Sequence, residues 1–109
     1  MKKLIILSSM FVATMSATAQ STSWSVDNSH SNVKFTVTHL VVSEVDGSFR
    51  TYNGSIESTK ADFDGAAINF TVDVNSVNTD NEMRDKHLKA DDFFNAEKYP
   101  QMSFKSTSF

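Results

Sequence analysis

Apolar and polar side chains alternate with a period of two along much of the chain. Val33, Phe35, Val37 and His39 fall on one face, while Asn32, Lys34, Thr36 and Thr38 take the other. A second stretch repeats the pattern, with Ala66, Ile68, Phe70, Val72 and Val74 opposing Ala67, Asn69, Thr71 and Asp73. Each predicts a strand with one apolar face, because successive side chains in a strand point to opposite sides. Shorter strands are predicted over 23–27, 47–52, 55–58 and 102–106. Asn53-Gly54 reads either as a tight hairpin turn or as a bend within one long strand, with the bend favoured.

One segment departs from this period. Thr79 and Glu82 have the spacing of a capping box, in which hydroxyl and carboxylate each satisfy a free backbone N–H, so a short helix is expected after Thr79. Glu82/Lys86 and Asp85/Lys89 are acid-before-base pairs four apart. Met83, His87 and Ala90, with Leu88 beside them, are expected to lay this helix against the sheet, and Phe93 and Phe94 to continue the contact. Tyr99-Pro100 imposes extended backbone before the last strand.

The N-terminus carries a different pattern. Lys2 and Lys3 precede an apolar run over 4–13 and a small-residue stretch ending Ala17-Thr18-Ala19, which reads as a secretory signal peptide over 1–19. The run is about half the length that a hydrocarbon core of ~30 Å requires, so no permanent membrane anchor is expected. Residues 20–109 keep eight basic and thirteen acidic side chains, a net charge of −5, which disfavours nucleic acid as a partner. There is no Cys, so an exported domain of this size lacks disulfide staples and depends on a packed core, a ligand or a partner. From Met102 and Phe104 the alternation runs to Phe109 with no Gly, Pro or Asn to stop it, leaving an unprotected edge strand; this predicts a fragment of a larger domain.

Candidate chemistry is sparse. Without Cys or a Gly-x-Ser-x-Gly turn there is no evident nucleophile, so an enzyme is not expected. Three histidines, His30, His39 and His87, suffice in number for zinc, but His30 and His39 are nine apart and project to opposite faces of a regular strand, so no metal is assigned. Arg84, Asp85 and His87 read as a solvated helix face or as groups at the rim of a cavity that receive a polar head group. Phe35, Phe49, Phe70 and Phe104 occupy four separate predicted strands, where they either fill a core or line a barrel cavity.

The run Trp24-Ser25-Val26-Asp27-Asn28-Ser29-His30-Ser31, with Val33, Phe35, Val37 and His39, resembles the opening of the YceI-like proteins, a bacterial polyisoprenoid-binding family. Val45-Asp46-Gly47-Ser48-Phe49 with Tyr52 and Gly54 is similar to its second strand region. The most specific stretch is Ser76-Val77-Asn78-Thr79-Asp80-Asn81, Arg84-Asp85-Lys86-His87-Leu88, Asp92-Phe93-Phe94 and Tyr99-Pro100-Gln101-Met102-Ser103-Phe104. The resemblance implies a mainly β, antiparallel, lipocalin-like barrel with one short helix, here incomplete over 20–109. It implies an exported protein, periplasmic or secreted, that binds a polyisoprenoid or quinone-like lipid and has no catalytic activity or other cofactor. Phe35, Val37, His39, Phe49, Ile68, Phe70, Val72 and Phe104 are then expected on the cavity side, and His30, Ser31, His39, Arg84, Asp85 and His87 belong to the shared motif. Of these, Arg84 and His87 are expected at the head group, with Asp85 orienting one of them. The family domain needs further strands after Tyr99-Pro100, so closure here would call for more chain or a homodimer. The alternatives are an exported β-rich interaction module without a ligand and a nonfunctional truncated product.

Overall fold

The computed structural model describes residues 16–109. The first fifteen residues of the expected signal peptide lie outside the described residues. The chain forms seven strands: β1 (Thr22–Ser25), β2 (Val33–His39), β3 (Ser43–Phe49), β4 (Tyr52–Ser58), β5 (Ala67–Asp73), β6 (Val77–Asn78) and β7 (Gln101–Lys105), with one helix, α1 (Glu82–Leu88). All pairings are antiparallel. One sheet runs β1-β4-β5-β7 and the other β2-β3-β6. The fold is mainly β, and among the described strands the sheets do not close into a barrel. No helix among the described residues is long and apolar enough to cross a membrane.

The two sheets share a corner. β3 and β4 are consecutive halves of one bent segment, broken at Arg50 and Thr51, whose partner bends at the same level through a 3₁₀ turn, Val74–Ser76. Backbone bonds continue across the break: Arg50 N donates to Ser76 O at 3.1 Å and Asp73 N to Thr51 O at 2.9 Å. The expected strand over 47–52 is corrected here. In an unbroken strand Phe49 and Tyr52, three apart, would face opposite sides. The break reverses the parity, so both turn inward. Asn53-Gly54 makes neither a hairpin nor the bend; β4 runs through it.

The core sits at this corner. Phe49, Tyr52, Val72 and Val77 are buried, with Val26, Val33, Phe35, Phe70, Leu88 and Phe94 packed against them. Ring contacts run from Phe35 to Phe49 (5.6 Å) and from Phe49 to Phe94 (5.7 Å), and Tyr52 stacks on Phe70 at 5.9 Å. Two glycines make room for this. Phe35 lies opposite Gly47 and Phe70 opposite Gly54. A Cβ on Gly54 would come within 2.5 Å of the Phe70 ring, and one on Gly47 would run into the Phe35 ring. Only a residue without a side chain lets each ring lie flat across the neighbouring strand.

The helix departs from expectation in two ways. Its N-cap is Asn81, whose side chain accepts from the Arg84 backbone N–H, rather than Thr79. Asp80 at φ 58° turns the chain, leaving Thr79 upstream of the helix, where Asp85 accepts from both its backbone N–H and its hydroxyl. The packing side is also different: Leu88 is half-buried against the core, whereas Met83 is 83% exposed and His87 is exposed. Phe94 packs inward and Phe93 remains 57% exposed.

Candidate functional site

The register places one continuous set of side chains on the inner face of the four-stranded sheet. Across β1 and β4 Trp24 opposes Ile56; across β4 and β5 Tyr52 opposes Val72, Gly54 opposes Phe70 and Ile56 opposes Ile68; across β5 and β7 Phe70 opposes Phe104 and Val72 opposes Met102. Near the corner this face is sealed, with Tyr52 and Val72 buried. Away from it the same face opens, leaving Trp24, Met102 and Phe104 at 41, 38 and 58% exposure. A pocket of about 210 Å³, almost wholly apolar, lies between these zones and is lined chiefly by Trp24, Val26, Gly54, Ile56, Ile68 and Phe70.

The expected cavity residues therefore divide. Ile68 and Phe70 line the pocket and Phe104 lies open on the same face. Phe49 and Val72 are corrected to solid core, because they fill the corner rather than face a space. Phe35 packs over Gly47 beside them. Val37 is 51% exposed and His39 is exposed at the end of β2, so neither is enclosed among the described residues. Trp24 and Val26, part of the family run, and Ile56 were not among the residues expected at the cavity. The inward parity of Tyr52, Gly54, Ile56 and Ser58 was the available signal, hidden by reading 47–52 and 55–58 as separate strands.

The motif residues form two separate fastenings. In the first, the loop from β1 to β2 crosses the corner: the Tyr52 hydroxyl donates to Ser31 O at 2.6 Å and Asn28 Nδ2 donates to Tyr52 O at 3.3 Å. Asp27 organises that loop, accepting from Ser29 N at 2.9 Å and pairing with His30 Nδ1 at 2.7 Å. The His30 hydrogen bond first, and the Ser29 backbone N–H second, hold the Asp27 carboxyl below its ordinary value of 3.8. In the second, Arg84 Nε donates to Thr79 Oγ1 at 2.8 Å and Nη2 to Thr79 O at 2.7 Å, while Asp85 Oδ1 accepts from Thr79 N at 2.8 Å and Oγ1 at 2.6 Å. Asp85 thus contacts neither Arg84 nor His87 directly, a correction to expectation: it accepts from Thr79, whose hydroxyl in turn receives Arg84 Nε, so it acts on Arg84 only through that threonine. His87 Nε2 instead meets Asp92 Oδ2 at 2.8 Å, with Phe93 edge-on at 4.9 Å. His30 and His87 are each held by a different aspartate, and among the described residues no group of three or more His, Asp or Glu has a metal-binding arrangement.

An antiparallel sheet bent at a packed corner, with rings seated on glycines and an apolar inner face, defines a lipocalin-like β architecture. The profile of the YceI-like domain matches residues 24–109. This chain belongs to the YceI-like family. It is 37% identical over 87 residues to a UPF0312 protein of Staphylococcus aureus strain N315, covering 80% of this chain and 51% of that protein. Burkholderia cenocepacia BcnA superposes with a TM-score of 0.68 at 25% identity, covering 76% of this chain and 52% of BcnA. A mutant Campylobacter jejuni YceI protein superposes with a TM-score of 0.52 at 38% identity, covering 73% of this chain and 47% of that one. The chain spans about half the length of the curated relatives it matches.

Proposed function

We propose that the full protein is an exported binding protein, periplasmic or secreted, that shelters the hydrocarbon chain of a polyisoprenoid or quinone-like lipid against the inner face of its sheet, without turnover. The observation that carries this reading is the change of character along one face: sealed at Tyr52 and Val72, hollowed into a pocket at Ile68 and Phe70, and open and apolar at Trp24, Met102 and Phe104. An isoprenoid chain exposes only hydrocarbon, and each Å² it removes from water contributes roughly 25 cal/mol, so the tail needs no polar contact. Family membership supports the same reading. Arg84 has two of its N–H groups committed to Thr79, which leaves others for a head group, and His87 is exposed nearby in sequence.

Trp24 is the only tryptophan of residues 1–109 and it lines the pocket, so the part of the fluorescence that a Trp24→Phe variant lacks reports on occupancy. Titrating the full-length protein with a long polyprenyl alcohol is expected to shift its emission to shorter wavelength and saturate. Native mass spectrometry of protein purified from cells is expected to show a co-purifying lipid. A clean guest-free mass together with an unresponsive Trp24 would end the proposal. A second reading is favoured by one feature: among the described residues β7 pairs only with β5, so its outer edge and Phe104 suit addition of a further strand, from this protein or from a partner such as a second copy.

A further inference from the structure

The hairpin joining β2 and β3 turns on Leu40, Val41 and Val42, which are 76, 94 and 89% exposed. Leu40 and Val41 hold φ angles of 52° and 66°. Left-handed backbone is unfavourable for any side-chain-bearing residue and worst for a β-branched one, and a tight turn of this kind is normally built from Asn and Gly. Here the chain accepts that strain and exposes three aliphatic side chains that no packing among the described residues covers. Outliers of this sort persist where they serve a function. The turn closes on itself, with Val42 N donating to His39 O at 3.4 Å and the Ser43 hydroxyl donating to the same oxygen at 3.3 Å. Past the single polar pair of His39 and Ser43, Val37 opposite Val45 and then Phe35 opposite Gly47 continue apolar surface toward buried Phe49.

We infer that this tip enters the hydrocarbon edge of a lipid bilayer and docks the protein where an isoprenoid guest is taken up or released. The inference deepens the carrier reading and rests on it for the reason the protein visits a bilayer. The chemistry of the tip favours lipid over protein. Protein contacts are anchored by aromatic and Arg side chains set in pockets, whereas this tip has neither, and Leu and Val groups on a self-bonded turn suit a fluid apolar phase. No Lys or Arg lies between residues 35 and 49, so docking does not rely on anionic head groups.

The test is flotation of guest-free full-length protein with phosphatidylcholine vesicles, with and without phosphatidylglycerol. The wild type is expected to float with both, with no gain from phosphatidylglycerol. L40N/V41G installs a turn that is unstrained at these angles, so its thermal midpoint should equal or exceed the wild type while its vesicle partition falls at least about tenfold, as loss of several buried methylene equivalents requires. V42D is a second probe that leaves the strained pair intact, and it should show a similar fall. Wild-type protein that does not float, variants that float as well as the wild type, or a partition that rises with phosphatidylglycerol would each overturn the inference. So would a wild-type dimer that L40N/V41G converts to monomer with flotation unchanged, which would give the tip to a second copy. Native mass spectrometry separates the two proposals: flotation intact with no guest ever bound removes the carrier reading and leaves the docking tip, and a retained guest with no flotation does the reverse.

Discussion

The corner and the open end of the inner face are made from the same alternation, yet they differ in what covers them. At the corner, Phe49, Tyr52, Val72 and Val77 are enclosed by each other, by Leu88 and Phe94 from the helical segment, and by the loop over Ser31. At the open end, Trp24, Met102 and Phe104 have the same inward parity; the Phe63 ring meets Trp24 at 4.9 Å, yet all three stay well exposed among the described residues. Parity assigns a side chain to a face. Whether that face becomes a solid interior or a binding surface is decided by what crosses over it, and here the crossing elements gather at one end.

Substitutions divide the two regions by size of effect. Phe49→Ala is expected to be the most damaging, about 3–5 kcal/mol in chemical denaturation, because Phe35 and Phe94 both lean on its ring and cannot refill the space. Gly54→Val should follow at about 1–3 kcal/mol, since its side chain meets the Phe70 ring and has no room to turn. Tyr52→Phe removes only the hydroxyl that donates to Ser31 O and should cost about 0.5–1.5 kcal/mol, read as a lowered denaturation midpoint. Phe104→Gln inverts the contrast: stability is expected to stay within about 0.5 kcal/mol while guest binding weakens, and an equal loss of both would mean that the open end is core after all.

The smallest effect concerns acid. The Asp27 carboxyl titrates below its ordinary value when folded, so the support it gives the loop is complete above that value and fades as pH falls through the depressed one. Asp27→Asn should therefore flatten the acid limb of the stability profile slightly and leave neutral pH nearly unchanged. Both groups of the pair are exposed, which keeps the change small.

Much of this was legible in the sequence because alternation is a local signal. The strand expected over 32–39 is β2 but for its first residue, and the longer run over 66–74 contains β5. What escaped has specific causes. The break at Arg50 and Thr51 carries no Gly or Pro and is fixed by hydrogen bonds to Asp73 and Ser76, more than twenty positions away. The turn at Leu40 and Val41 has none of the residues that mark turns, so β3 begins four residues before the strand expected from 47. The cap moved from Thr79 to Asn81 because Asp85, six positions on, claims the threonine. Resemblance named the motif residues but not their duties, and the structure gives Ser31, Arg84 and Asp85 to fastening loops.

The glycine seats have a consequence for how the strands find each other. Two-residue periodicity is blind to a slip of two, which would keep every inward residue inward and every outward one outward. Such a slip would bring Phe35 opposite Val45 or Phe49 instead of Gly47, and Phe70 opposite Tyr52 or Ile56 instead of Gly54, and neither ring could then lie down. Each aromatic thus acts as a key that fits one notch, and because both notches are cut in the same bent segment, the strands on either side are indexed to a common rule.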